Sequence, residues 1–222
     1  MIVYNWLSNN YIEVFGAITG VIYVFLEIRQ TIWLWPIGII TSAVYIWVFF
    51  IGKLYADMSL QVYYLVISCL GWYWWAKGTG QRAQSSELRS QGTRYKEAAA
   101  GGREGELPVT RITLKTGLVL AAVLSVLFIV MCFILDRLTD SPVPGWDSFI
   151  TSLSIVATWM LARKIYEHWL LWIVVNSVAV ALFLSRGLYP TVILYVVYGI
   201  MSFIGLTAWK KTIRIELSIS RK

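Results

Sequence analysis

The sequence predicts an all-α, polytopic membrane protein with seven transmembrane helices in a 3+1+3 arrangement of parallel repeats. Three observations predict this class: the composition, the spacing of the apolar runs and an internal repeat. Hydrophobic residues make up 58% of the 222 residues and charged residues only 14%, whereas a soluble domain has about 25% charged residues. The mean hydropathy of +0.66 indicates a membrane protein as well.

The apolar residues are concentrated in long runs, which a soluble core does not need. A run of about 20 apolar residues crosses a bilayer as a helix. The fifth run is short and rich in Ser and Thr, whose hydroxyls can hydrogen-bond within the membrane. No cleavable signal peptide is recognised, so the first run is expected to be a true transmembrane helix. Seven runs occur, at residues 11–28, 32–51, 56–76, 112–135, 148–163, 168–185 and 190–209.

Several chemistries are poorly supported by the residue types present. Cys69 and Cys132 lie inside apolar runs, and His168 is the only histidine, so neither a disulfide framework nor a metal site is expected. No cofactor is expected, and no GxxxxGK[ST] phosphate-binding loop occurs. All acidic residues lie in loops or near helix ends, which favours a uniporter over a proton-coupled carrier. An intramembrane enzyme is therefore disfavoured.

The basic residues predict the orientation of the chain. Only Lys53, Arg137 and Arg186 lie on one side of the predicted spans, and the other 16 Lys and Arg residues lie on the opposite side. The positive-inside rule makes the richer side cytoplasmic, so the N-terminus is predicted outside and the C-terminus inside. Because the cations explain topology and affinity for anionic lipid, nucleic-acid binding is not expected.

Two segments outside the apolar runs are predicted to be cytoplasmic. Residues 77–111 are polar, Gly-rich and of mixed charge, with too few apolar residues to build a core. We interpret them as a flexible linker, and residues 210–222 as a cytoplasmic tail. The domain boundaries follow: a first three-helix repeat at 11–76, a connecting helix at 112–135 and a second three-helix repeat at 148–209.

An offset of 134 residues aligns the two halves without a gap. Twelve of the 41 positions between Trp35 and Trp75 are identical to their partners between Trp169 and Trp209. An odd connecting helix returns the chain to its starting side, so both triplets have the same orientation. Parallel repeats of this kind are a known transporter plan, found in the SWEET sugar transporters, with the substrate near the bilayer midplane between the repeats.

The sixth run carries the most specific candidate site. Trp169, Trp172 and Asn176 share one helix face, within an arc of roughly 60°, and the stripe extends about 10 Å into the membrane. An amide at that depth is costly without a partner, and two indoles beside an amide can hold a flat cationic ring. Two alternatives stay open: Trp169 in the interfacial aromatic belt, and Asn176 as an interhelical hydrogen-bonding residue.

The pattern WxxWxxxN at residues 169–176 resembles the signature of the PnuC family of bacterial vitamin transporters, whose best-known substrate is nicotinamide riboside. The stretches LYADMSLQVYY (54–64), GWYWW (71–75) and WDSFITSLSIVA (146–157) are similar to that family too. The resemblance implies a SWEET-like fold, facilitated diffusion with alternating access, and trapping of the vitamin by phosphorylation on the way to NAD.

The same resemblance implies a set of substrate-binding residues. Trp169, Trp172 and Asn176 would contact the substrate, and Gln61 matches a family glutamine. Tyr195, at the position offset by 134 from Gln61, could close the opposite wall. The alternative substrate is thiamine, which too presents a cationic aromatic ring, or a related vitamin or nucleoside. A non-transporting membrane scaffold is the weaker alternative, and a homo-oligomer such as a trimer is considered.

Overall fold

The computed structural model describes residues 11–51, 55–90, 107–138 and 143–220, and side chains within 14–51, 57–77, 107–137 and 143–214. The described residues form seven α-helices and no strand, which confirms the predicted all-α class. The connections are short, except between α3 and α4. The helices are α1 (Tyr11–Ile28), α2 (Leu34–Ile51), α3 (Tyr55–Ser90), α4 (Leu114–Leu138), α5 (Pro144–Ala162), α6 (His168–Ser185) and α7 (Tyr189–Ser220).

Four of these helices are long and apolar enough to cross a membrane: α2, α4, α6 and the part of α7 from Tyr189 to Arg214. Helix α1 adds a shorter apolar stretch, Val14–Ile28. The apolar window of α4 is not buried by the rest of the protein. Val119, Val126 and Phe133 are among its exposed side chains, whereas Leu120, Leu124 and Leu127 pack towards Val156 and Met160. The outward face of α4 is therefore suited to lipid.

Two helices continue beyond the boundaries predicted from hydropathy. Helix α3 runs to Ser90 and α7 to Ser220, whereas the sequence placed their ends at 76 and 209. Hydropathy marks the part of a helix that suits lipid, and a helix can continue into water once its residues become polar. The rest of the predicted linker up to 106 lies outside the described residues.

The end of the predicted linker is fixed to the turn between α5 and α6. The Thr110 amide donates to the Lys164 carbonyl at 2.9 Å, and the Tyr166 amide donates to the Thr110 carbonyl at 3.0 Å. Val109 is buried beside them. Residues 107–113 therefore lead into α4 along a defined path, which the composition of the segment did not predict.

Each half of the protein contacts the other through its third helix. The Trp75 indole of α3 donates to the Ala162 carbonyl at the end of α5, at 3.2 Å. The Trp209 indole of α7 donates to the Glu27 carbonyl near the end of α1, at 3.1 Å. One indole thus donates from the first half to the second, and the other donates from the second half to the first, at the same end of the bundle.

The 134-residue offset recurs in the positions of the helices. Helices α2 and α6 begin and end at residues 134 apart, and α3 and α7 both begin at a Tyr with the same offset. After α1 and α5, the left-handed backbone conformation occurs at Gln30 (φ 55°) and Lys164 (φ 51°), again 134 apart. Corresponding residues therefore have corresponding local conformations in the two halves.

Two glycines let the third helix of each half approach a buried tryptophan. A Cβ atom on Gly71 would overlap the Trp35 ring, and a Cβ atom on Gly205 would overlap the Trp169 ring. Both rings are almost fully buried. Only a residue without a side chain leaves room for an indole lying on the helix backbone.

Replacing Gly205 by Ala is expected to destabilise the protein by about 1–3 kcal/mol, because overpacking displaces a rigid ring that has no free space. Gly71→Ala should have a similar effect. Thermal unfolding followed by tryptophan fluorescence in detergent would measure both. Gly145→Ala is the control, since no atom lies within 4 Å of an added Cβ there. Unchanged stability in both test variants would show that the rings are not confined by the helices.

Candidate functional site

Trp169 lies in the hydrophobic core instead of on a cavity wall. Its ring packs on Gly205 and meets Trp209 edge to face, with the centroids 5.9 Å apart. Trp35 packs in the same way on Gly71 and meets Trp75 edge to face at 5.4 Å. Because the same packing occurs in both halves, Trp169 has a structural role that does not depend on a substrate.

Trp172 differs from Trp169 because the other half has no equivalent. The position 134 residues earlier is Gly38, where an added Cβ would lie 2.9 Å from the Ser68 hydroxyl and 3.2 Å from the Tyr23 ring. In the second half the residue corresponding to Tyr23 is Ala157. The first half thus has a small residue on its second helix and a large one on its first helix, and the second half has the reverse. The indole nitrogens of Trp35, Trp169 and Trp172 are all buried without a hydrogen-bond acceptor among the described residues, but only that of Trp172 has no counterpart in the other half. The second half therefore has a hydrogen-bond donor that the first half lacks, and a ligand oxygen could accept a hydrogen bond from it.

Asn176 is buried and joins α6 to α7. Its Nδ2 donates to the Ser202 hydroxyl at 3.2 Å, and Ser202 donates to the Tyr198 carbonyl at 2.7 Å. The predicted interhelical hydrogen bond is thus present. It uses only the amino group of the amide, so the carbonyl oxygen makes no hydrogen bond to the residues that the structure describes.

Gln61 and Tyr195 lie at corresponding positions on α3 and α7. Both side chains are half-buried. Tyr195 stacks on Phe183 at 5.2 Å and meets Tyr198 edge to face at 6.0 Å. Gln61 makes no hydrogen bond to another described residue. Its amide is therefore available, and the helical spacing places it on the same face of α3 as Tyr64.

Five tyrosines, which we call the tyrosine row, connect these positions across the bundle. Tyr64 interacts with the Ser154 hydroxyl and lies within electrostatic range of Tyr195. Tyr23 is within such range of Tyr64, and Tyr198 is within range of both Tyr195 and Tyr45. The row draws on α1, α2, α3 and α7, and therefore on helices of both halves.

The tyrosine row was not predicted, although the sequence contains a signal for part of it. Tyr64 and Tyr198 are identical residues 134 positions apart, and so are Ser68 and Ser202. Each half thus places a Tyr and a Ser four residues apart on one helix face. In both halves the serine lies against the second helix of its own half: Ser68 near Gly38, and Ser202 on Asn176.

A buried pair, Glu27 and His168, was also missed. His168 Nε2 lies 3.0 Å from Glu27 Oε1, and the side chains are 0% and 3% exposed, respectively. The other ring nitrogen, Nδ1, donates to the Ile165 carbonyl at 2.7 Å. Because both ring nitrogens face oxygen atoms, a proton must lie in the contact between His168 and Glu27. The corresponding positions, Leu34 and Leu161, are apolar and fully buried.

The chemistry of the candidate site is neutral and aromatic. It offers the Trp172 indole, two amides from Asn176 and Gln61, the Ser202 hydroxyl and the phenols of the tyrosine row. None of these residues is a Lys or an Arg. Such a lining can hold a flat ring by its face and hydroxyl groups by hydrogen bonds, but it offers no cation to a phosphate group.

A bundle of apolar helices long enough to cross a membrane, with aromatic and amide side chains between them, is an architecture that membrane transporters for small organic solutes use. The family model described as nicotinamide mononucleotide transporter matches residues 10–211. The chain belongs to that family, which is one of transporters and not of enzymes, and it is a multi-pass bacterial membrane protein.

Relatives of this chain include proteins named for different substrates. The nicotinamide riboside transporter PnuC of Escherichia coli is 27% identical over 210 residues, covering 92% of this chain and 87% of the relative. The riboflavin/roseoflavin transporter RibM of Streptomyces davaonensis is 26% identical over 216 residues, covering 92% of each. The crystal structure of the vitamin B3 transporter PnuC matches with a TM-score of 0.69 at 23% identity, covering 96% of this chain and 86% of that chain. The structural match supports the all-helical fold.

Proposed function

We propose that this protein carries nicotinamide riboside into the cell across the cytoplasmic membrane. The observation that carries the proposal is the indole N–H of Trp172, which has no acceptor among the described residues, with the buried amide of Asn176 one helical turn further along α6. The nicotinamide ring is cationic and flat, so an indole face suits it. The ribose hydroxyls and the carboxamide group of the substrate can form hydrogen bonds with the amides of Asn176 and Gln61 and with the indole N–H of Trp172.

The neutral lining supports a riboside over a phosphorylated nucleotide. A phosphate group buried without a cationic partner is strongly disfavoured, and the named site residues include no Lys or Arg. The name of the matching family mentions a mononucleotide, whereas the E. coli relative is named for the riboside. The chemistry of the site favours the substrate that lacks the phosphate.

Among the predicted substrate residues, we assign direct contact to Trp172, Asn176, Gln61 and Tyr195. Trp169 stays in the proposal as the support beneath Trp172, because it packs on the backbone of α7 one turn away. The tyrosine row supplies further hydroxyls between the two halves. A flavin vitamin is the second candidate, since RibM is similar over most of both chains. Thiamine has no such support among the relatives described above.

The transport mechanism that we propose is alternating access by rocking of two parallel three-helix repeats. The recurring helix bounds and the recurring backbone conformation at Gln30 and Lys164 support such repeats. The basic end of the bundle is proposed to face the cytoplasm, with the N-terminus outside. Assembly into a trimer stays a prediction, and mass determination of the detergent-solubilised protein would check it.

Uptake into proteoliposomes tests the proposed function. Liposomes containing the purified protein are expected to accumulate labelled nicotinamide riboside until the inside and outside concentrations are equal, without any ion gradient. Empty liposomes and liposomes containing the Trp172→Gly variant should take up little. Riboflavin and thiamine, offered as unlabelled competitors, should slow uptake less than unlabelled riboside. If unlabelled riboflavin blocked uptake and unlabelled riboside did not, riboflavin would replace nicotinamide riboside as the proposed substrate. If uptake required a proton gradient, the proposal of facilitated diffusion would be wrong.

A further inference from the structure

A basic cleft lies between α3, α4 and α5, outside the candidate substrate site. It has a volume of about 610 Å³ and is lined by Lys77, Arg111 and Arg163, together with Trp74, Trp159 and Thr113. The Arg163 guanidinium lies over the Trp74 ring at 4.9 Å. The cleft is thus located at the end of the bundle where α3 meets α5 and where the chain enters α4.

A second cavity continues from the basic cleft along α4, and we call it the apolar groove. It has a volume of about 460 Å³ and is lined mainly by apolar side chains, among them Val119, Val123 and Leu127 of α4 and Val156 of α5. Thr116 and Trp159 line both cavities. A polar compartment and an apolar compartment therefore adjoin each other along the direction in which α4 crosses the membrane.

The charged side chains that line the two cavities are all cations. Lys115 lines the apolar groove, which brings the number of cations along the two cavities to four, and all four side chains are exposed. Between described residues the ion pairs are Arg137 with Asp136 and His168 with Glu27. Glu167, which is near α4, accepts the Ile112 amide at 2.9 Å. No described carboxylate neutralises the four cations.

We propose that the basic cleft and the apolar groove together bind one anionic phospholipid. The phosphate group would lie between Lys77, Arg111 and Arg163, and an acyl chain would follow the apolar groove between α4 and α5. Charge complementarity selects the headgroup, because basic pockets at the membrane surface bind anionic lipid. The adjoining groove selects a lipid over a free anion, since a free phosphate compound has nothing to place between Val123 and Val156.

A lipid in this position joins the connecting helix to the rest of the protein. It would contact the end of α3, the path of residues 107–113, the beginning of α4 and α5. A ligand that binds only the folded protein raises its apparent stability. Anionic lipid should therefore raise the unfolding temperature, and this inference does not depend on which substrate is carried.

Native mass spectrometry of the full chain in detergent tests the proposal, with phosphatidylglycerol and phosphatidylethanolamine as probes. The unchanged protein should retain one phosphatidylglycerol molecule in preference to phosphatidylethanolamine. The triple variant Lys77→Gln, Arg111→Gln, Arg163→Gln should bind phosphatidylglycerol roughly a hundredfold more weakly, given the usual contribution of a cation near an anionic surface. The matched control is Lys210→Gln, Lys211→Gln, Arg214→Gln, which removes three exposed cations of α7 and should not change lipid binding.

A second variant tests the acyl-chain half independently of charge. Val123→Trp should fill the groove and abolish the increase in unfolding temperature that phosphatidylglycerol produces. Glycerol phosphate, which has the headgroup chemistry but no acyl chain, should neither raise the unfolding temperature nor displace the lipid. Equal binding of the two lipids, unchanged phosphatidylglycerol binding in both the triple variant and Val123→Trp, or displacement by glycerol phosphate would overturn the proposal.

Discussion

Replacing His168 by Leu is expected to lower the free energy of unfolding by about 3–5 kcal/mol, because the buried carboxyl group of Glu27 loses its partner. The contact between His168 Nε2 and Glu27 Oε1 is 3.0 Å long, and both side chains are almost inaccessible to water. His168 also packs between Trp169 and Trp209, with both ring centroids 4.7 Å away. Loss of the pair would therefore disturb the junction between α1, α6 and α7.

The double variant Glu27→Leu, His168→Leu is expected to recover most of that loss. It gives this contact between the halves the residues found at the two corresponding positions, Leu161 and Leu34, which are fully buried. Replacement of a buried ion pair by apolar residues of similar size is often neutral or stabilising. Thermal unfolding of all three proteins in the same detergent would measure the differences.

The exposed pair of Arg137 and Asp136 supplies the control for this series. Its atoms are 3.5 Å apart, and both side chains are more than half exposed, so Arg137→Leu should change stability little. A His168→Leu protein as stable as the unchanged chain would contradict the assigned role of the pair. The same conclusion would follow if the double variant were no more stable than the single one.

Replacing Trp172 by Gly is expected to weaken binding of nicotinamide riboside by about 30-fold, the effect of losing one desolvated cation–π contact. Glycine is the residue at the corresponding position, Gly38, but Tyr23 packs beside it, whereas the corresponding residue here is Ala157. The unfolding temperature of the variant is therefore measured alongside its binding. Trp172→Phe keeps a ring but lacks the indole N–H, and it should lose only part of the affinity. Equilibrium binding to the purified proteins would measure each step.

Trp33 supplies the matched control for Trp172, since it is 68% exposed and lies in the turn before α2. Trp33→Gly removes an indole without touching the candidate site and should bind the riboside like the unchanged chain. If Trp172→Gly bound the riboside normally while remaining folded, Trp172 would be a packing residue. The free N–H would then have to be assigned to another ligand.

The helices could be predicted from the sequence, but the ends of α3 and α7 could not. Long apolar runs identify membrane-spanning helices because lipid cannot satisfy an exposed backbone. That signal disappears where a helix enters water, so the continuation of α3 to Ser90 and of α7 to Ser220 was not predicted. The bounds of α6 were predicted correctly, because only short turns separate it from α5 and α7.

The candidate site could be predicted only in part, for two physical reasons. Trp169 and Trp172 share a helix face, but whether an indole meets a cavity or a glycine on the next helix depends on packing between helices. The structure placed Trp169 on Gly205, which a single helix cannot indicate. The Glu27–His168 contact spans 141 residues of sequence, and an acidic residue near a helix end is usually exposed.

The measurement that tests the central claim most directly is calorimetric titration of nicotinamide riboside, and then of nicotinamide mononucleotide, into the purified protein. A neutral site formed by Trp172, Asn176, Gln61 and Tyr195 predicts that the riboside binds and that the mononucleotide binds at least about tenfold more weakly, because its phosphate group would be buried without a cation. Equal or tighter binding of the mononucleotide, or no binding of the riboside, would contradict the proposed site.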